Sequence, residues 1–99
     1  MPTRVKIVAP AIGTWGAPFA VAATGYDRSE GAWLRAEAQQ SDALVYAQYV
    51  RGAYGSFTLG PTPAADETQP ATGRVAIGYW TRQGTFRELA STDFEIEAP

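Results

Sequence analysis

The chain has 99 residues, 45% of them apolar and 18% charged, with a formal charge of −2. That length holds one hydrophobic core and not two, and the composition is that of a folded domain rather than a disordered segment. The mild acidity, with basic residues scattered as Arg4, Lys6, Arg82 and Arg87, excludes a run of cations that could neutralise successive phosphates, so no nucleic-acid partner is expected.

The first strand pattern is Arg4 to Val8, where Val5 and Ile7 alternate with polar neighbours and Pro10 closes the run. Ala11 to Ala17 carries Gly13 and Gly16 and reads as a loop. Pro18 opens a second strand to Thr24 with Phe19, Val21 and Ala23 on one face. Gly25 to Gly31 is a polar connection. Ala32 to Gln39 is rich in helix formers, yet its Leu34, Ala36 and Ala38 alternate, and its short length beside strand-like neighbours argues for a third strand. Gln40-Ser41-Asp42 turns the chain into Ala43 to Arg51, and Ser56 to Leu59 is a further short strand. Pro61 to Thr72 is the longest loop, with little apolar content, and is expected to be exposed and mobile. Arg74 to Thr81 and Phe86 to Ile96 form a hairpin around Gly84, which supplies the positive φ a tight turn needs. Seven or so strands with regular turn signals predict an all-β fold, an immunoglobulin-like β-sandwich of about seven antiparallel strands occupying residues 1–99 as one domain.

The chain contains no cysteine and no histidine. Disulfides, thiolate metal sites, a cysteine nucleophile and a Ser-His-Asp set are therefore excluded, and the commonest general base is missing. Lys6 lies on the polar side of its strand, with no apolar pocket around it to make it a nucleophile, and Ser56 lacks the glycine setting of a nucleophile elbow. Asp66-Glu67 has no periodic oxygen donors around it to hold calcium, and Glu95 and Glu97 read as the solvent side of the last strand. The expectation is a non-enzyme with no cofactor, no metal and no catalytic residue. No apolar run is long enough to span a bilayer and nothing at the N-terminus reads as a signal peptide, so no membrane insertion by this segment is expected.

The aromatics hold more promise. Phe19, Phe57, Tyr79 and Phe94 fall on inward parities and are core candidates. Trp33 shares a face with Arg35 and Glu37, and Trp80 shares one with Arg74, Ala76 and Gly78. Paired as central strands of an immunoglobulin-like sheet, these place Trp33, Arg35 and Trp80 on one outer surface, a shallow trough over Ala76 and Gly78 between the tryptophans. Such a flat aromatic strip is a candidate ligand-binding site for sugars, a peptide or a partner domain, with Tyr49 or Tyr54 as further contacts. The competing structural role is that Trp33 covers the bare backbone at Gly78. Trp15, Tyr26 and Tyr54 are expected to close the ends of the sandwich.

Val5-Lys6-Ile7-Val8-Ala9-Pro10, then Ala17-Pro18-Phe19-Ala20-Val21 and Thr24-Gly25-Tyr26, resembles the opening of a bacterial immunoglobulin-like domain associated with spore-germination proteins and cell-envelope lipoproteins. The resemblance continues through Trp33-Leu34-Arg35, Gly55-Ser56-Phe57-Thr58-Leu59 and the closing hairpin from Gly73-Arg74-Val75 to Phe94-Glu95-Ile96. It implies an extracytoplasmic, non-enzymatic interaction or spacer module of a bacterial envelope or secreted protein, with a protein or glycan partner and possible self-association. Two alternatives stand beside it: a carbohydrate-binding module using surface aromatics, and a phage or particle surface subunit. A spacer predicts chain ends at opposite poles.

Overall fold

Alternation of apolar and polar residues turns most of the chain into strands. The computed structural model describes residues 5–25, 31–60, 63 and 65–99. Among these there are eight strands and no helix: β1 (Lys6–Val8), β2 (Ile12–Thr14), β3 (Pro18–Thr24), β4 (Trp33–Gln40), β5 (Ala43–Arg51), β6 (Tyr54–Thr58), β7 (Ala71–Trp80) and β8 (Phe86–Glu97). They form a three-stranded sheet in the order β1-β3-β6 and a five-stranded sheet in the order β2-β8-β7-β4-β5, packed face to face as a β-sandwich. The all-β sandwich expected from the sequence is the fold.

Two features differ from the expectation of about seven strands, all antiparallel. β2 lies in the stretch that reads as a glycine loop, and it pairs with β8 in parallel, Ile12 opposite Glu95 and Thr14 opposite Glu97. The reason is directional. β1 pairs with β3 in the small sheet, and the chain then crosses at Pro10-Ala11 to the large sheet without reversing, so it runs alongside β8 in the same sense. Gly13 is there for close approach and not for a turn: a Cβ at that position would sit 3.1 Å from Phe94 Cε2.

β4 resolves the helix–strand ambiguity of its sequence. Leu34, Ala36 and Ala38 are fully buried against the small sheet, a period-two burial that a helix cannot give, so tertiary packing overrides local propensity. Phe19 bridges the layers, with its ring centroid 5.7 Å from that of Phe57 and 5.1 Å from that of Phe94. The β4–β5 hairpin turns on Ser41 and Asp42, both with positive φ (50° and 63°), a tight-turn geometry that a short polar side chain such as Asp tolerates. Tyr79 is only half-buried, so it belongs to the margin of the core rather than its centre.

β1 enters at Lys6, opposite Thr24, whereas β8 ends at Glu97 beside Thr14, so the chain enters at one pole and leaves at the other. The body measures 44 × 28 × 19 Å. Its long dimension matches the twelve-residue β8, which spans about 40 Å when extended. The entry pole carries the β5–β6 turn and the β7–β8 hairpin. The exit pole carries the β4–β5 hairpin, Trp15-Gly16 and residues 65–70.

Trp15 is only 2% exposed and closes the exit pole, as expected of it, while Tyr54 is 69% exposed and closes nothing; Tyr26 lies outside the described residues. The described part of the long loop is not loose. Trp15 Nε1 donates to Gln69 O at 3.0 Å, Gln40 Nε2 donates to Asp66 O at 2.8 Å, and Asp66 N donates back to Gln40 Oε1 at 3.1 Å. Composition missed this because the anchors come from β4 and the Trp15 turn, distant in sequence. Thr68 donates to Asp66 Oδ1 from both its amide, at 3.0 Å, and its hydroxyl, at 2.6 Å, and these bonds hold the Asp66 carboxyl below the usual aspartate range. With the folded-state pKa depressed, the contribution to stability is present above the ordinary aspartate pKa and is lost as pH falls through the folded value. Thr68→Ala is expected to move the Asp66 titration upward in a carboxyl NMR experiment; an unmoved curve would rule out Thr68 as the cause.

Candidate functional site

The outer face of the five-stranded sheet is built from alternate residues of four strands. β4 contributes Trp33, Arg35 and Glu37, and β5 contributes Arg51 opposite Trp33 and Tyr49 opposite Arg35. β7 places Gly78 opposite Trp33 and Ala76 opposite Arg35. β8 supplies Phe86 opposite Trp80 and Glu88 opposite Gly78. Between Ile77 and Gly78 the β7–β8 register shifts, because Ala90 faces Ile77 and Leu89 is the extra residue. This bulge reverses the parity of β8. Phe86 and Glu88 face outward before it, and Ser91, Asp93 and Glu95 face outward after it.

Three rings form one cluster. Trp80 lies 5.0 Å from Tyr49 and 5.3 Å from Phe86, and Tyr49 lies 5.5 Å from Phe86, with interplanar angles of 44°, 66° and 71°. The rings meet tilted and edge-on, the arrangement their quadrupoles favour. The expected flat strip is therefore absent, and so is the trough. Ala76 and Gly78 are buried, and the atoms nearest to where a Gly78 Cβ would lie belong to Arg87 and Phe86, not Trp33. Trp33 does stand opposite Gly78 in register, but the Arg87 carbonyl and the Phe86 ring cover that backbone.

Beside the rings lies an ionic lattice. The Arg35 guanidinium sits 4.8 Å from the Phe86 centroid, its Nε approaches Glu37 Oε1 at 2.6 Å, and its Nη2 donates to Glu88 Oε1. The Glu37 approach is off the N–H axis, so it is a charge contact without an aligned hydrogen bond. Arg74 Nη2 holds the other Glu88 oxygen at 2.7 Å and donates to Ser91 Oγ at 3.0 Å. Two arginines and two carboxylates thus neutralise one another. Arg35 is consumed in holding the face rigid, and its charge is not open to an incoming anion without breaking this lattice. What remains accessible is aromatic: Trp80 is 41% and Tyr49 is 38% exposed.

Of the residues singled out in the sequence, Arg35 and Trp80 meet through Phe86, and Trp33 stands at the same end of the face without joining the ring cluster. Phe86 and Glu88 were not anticipated. Their signal was a contradiction in parity: counting back in twos from Ile96 and Phe94 puts Glu88 inside the core, which a lone charge cannot occupy, and so calls for a bulge.

No protein family, curated protein or solved structure matches the chain. Function has to be argued from the face itself. Among the described residues no group of three or more acidic side chains is placed to hold a metal ion.

Proposed function

We propose that the chain is a non-catalytic interaction module of immunoglobulin-like type, from a bacterial envelope or secreted protein, whose partner-binding surface is the Trp80–Tyr49–Phe86 end of the outer sheet face. The strand order β1-β3-β6 over β2-β8-β7-β4-β5 supports the immunoglobulin-like reading, since it sets a small outer-strand sheet against a larger one carrying the closing hairpin. The envelope placement rests on the resemblance of strand order and turn residues described above. Chain entry and exit at opposite poles suits a spacer as well as a binder.

The observation that carries the reading is the exposed, tilted ring cluster braced by a neutralised ionic lattice. Rigid aromatic anchors ringed by polar groups are what protein contact surfaces concentrate. A sugar-stacking platform needs a ring face left open and level, and here each ring spends part of its surface on its neighbours.

A benzophenone amino acid placed at Tyr49 is expected to form adducts with a partner protein in the producing cell, and the same probe at Tyr54, on the opposite sheet, is not. Equal labelling from both positions would defeat the reading. With the partner in hand, Trp80→Ala is expected to weaken binding about thirty-fold, the cost of losing a ~2 kcal/mol anchor. A tryptophan-emission shift with soluble polysaccharides, lost in Trp80→Phe, would instead establish the carbohydrate-binding alternative.

A further inference from the structure

The charges that the central lattice does not use are sorted along the long axis. Lys6, Arg51, Arg82 and Arg87, all exposed, lie at the entry pole: at the start of β1, the end of β5, in the β7–β8 hairpin and at the start of β8. Asp42, Asp66, Glu67, Glu95 and Glu97 lie at the exit pole: in the β4–β5 hairpin, the 65–70 segment and the end of β8. Among the described residues the charges left over at the entry pole are thus all basic and those at the exit pole all acidic; Glu88, in the same cross-strand row as Arg51, is taken up by Arg35 and Arg74. Arg4, Asp27, Arg28 and Glu30 lie outside the described residues. Between the poles, Arg35 and Arg74 are balanced by Glu37 and Glu88, and Asp93 stands opposite Arg74. None of the described ion pairs uses a polar-cap charge.

Like charges gathered at one end repel, and folding gains nothing from collecting them. Two ends of opposite sign, on a body 44 Å long, are complementary to each other but cannot meet within one molecule. We infer that the acidic exit pole of one copy docks on the basic entry pole of the next, giving head-to-tail chains of this domain. The occupant of each pole is a second copy. The contact is heterologous, so it does not close at a dimer but propagates along the long axis. It also brings Glu97 of one copy toward Lys6 of the next, the two points where the chain leaves and enters. This inference goes beyond the aromatic face and stands whether or not that face holds a partner.

The test is sedimentation velocity of the intact chain across a concentration series. At about 0.01 M salt, where charges act over roughly 30 Å, the average mass is expected to climb past that of a dimer. At about 1 M salt, where screening acts within about 3 Å, the chain is expected to sediment as a monomer. Arg82→Glu with Arg87→Glu leaves the entry pole with no net charge, and Glu95→Lys with Glu97→Lys leaves the exit pole with a net charge of only −1; each double variant alone is expected to stay monomeric. Mixed together, they are expected to pair one to one, because the first variant's acidic exit pole still finds the second's basic entry pole while the two altered poles cap the pair. A wild-type chain that stays monomeric at low salt overturns the inference, even if a variant fails to fold. So does wild-type association that survives high salt or stops at a dimer, which would point to pairing through the β5 edge, and so does a double variant that associates alone as the wild type does.

Discussion

Gly78→Ala is expected to cost about 3 kcal/mol or more, among the largest single-residue losses available in this fold. A Cβ at this position would overlap Arg87 O and lie 2.8 Å from the Arg87 carbonyl carbon and 3.0 Å from Phe86 Cζ. Two of those three atoms are backbone, and they belong to the paired strand β8 just before the bulge, so relief requires the β7–β8 pairing to open and not merely a side chain to swing. The bulge also sets the outward direction of Phe86 and Glu88. Chemical denaturation reads the stability loss, and it should be accompanied by loss of the Trp80 ring contacts, seen as a shift in tryptophan emission. A fully stable alanine variant would mean that the Arg87 carbonyl does not lie over Gly78. For contrast, Gly84→Ala meets no atoms and suffers only from its positive φ of 81°, so a loss near 1 kcal/mol is expected there.

Trp15→Ala should rival it. The indole is 2% exposed, and deleting a buried tryptophan leaves a cavity that costs roughly 3–5 kcal/mol. A domain of this size has about 5–15 kcal/mol in total, so the variant sits near the edge of folding. The more informative change is Trp15→Phe, which keeps most of the apolar volume and removes only the Nε1–H that donates to Gln69 O. Residues 65–70 then keep the two Gln40 bonds to Asp66 and lose the anchor at Gln69 from Trp15. Hydrogen exchange should quicken in that segment while β4 and β7 stay protected. Uniform acceleration throughout the chain would show instead that Trp15 acts only as core volume.

Much of the fold was legible because strand burial has period two. Phe19, Val21 and Ala23, the buried run Leu34-Ala36-Ala38, and the pair Phe94 and Ile96 all declare their inward side, and Gly84 declares its hairpin. The lack of histidine and cysteine likewise bounds the chemistry. The outer face was legible only in outline: Arg35 and Trp80 do share a cluster, but through Phe86, whose direction a strict alternation inverts.

What the sequence determined by itself is therefore the class of the fold, the inward parity of its uninterrupted strands, and the set of reactions the chain lacks the groups to perform. The tertiary structure alone decided the rest. A bulge is one residue of register, invisible in local composition, yet it reverses every side chain on one side of it and so converts a flat strip with a trough into a tilted ring cluster over a filled backbone. The same holds for the parallel β2, the anchored 65–70 segment and the two charged poles. Each depends on residues far apart in the chain being brought to one sheet edge or one end, and topology, not local pattern, makes that choice.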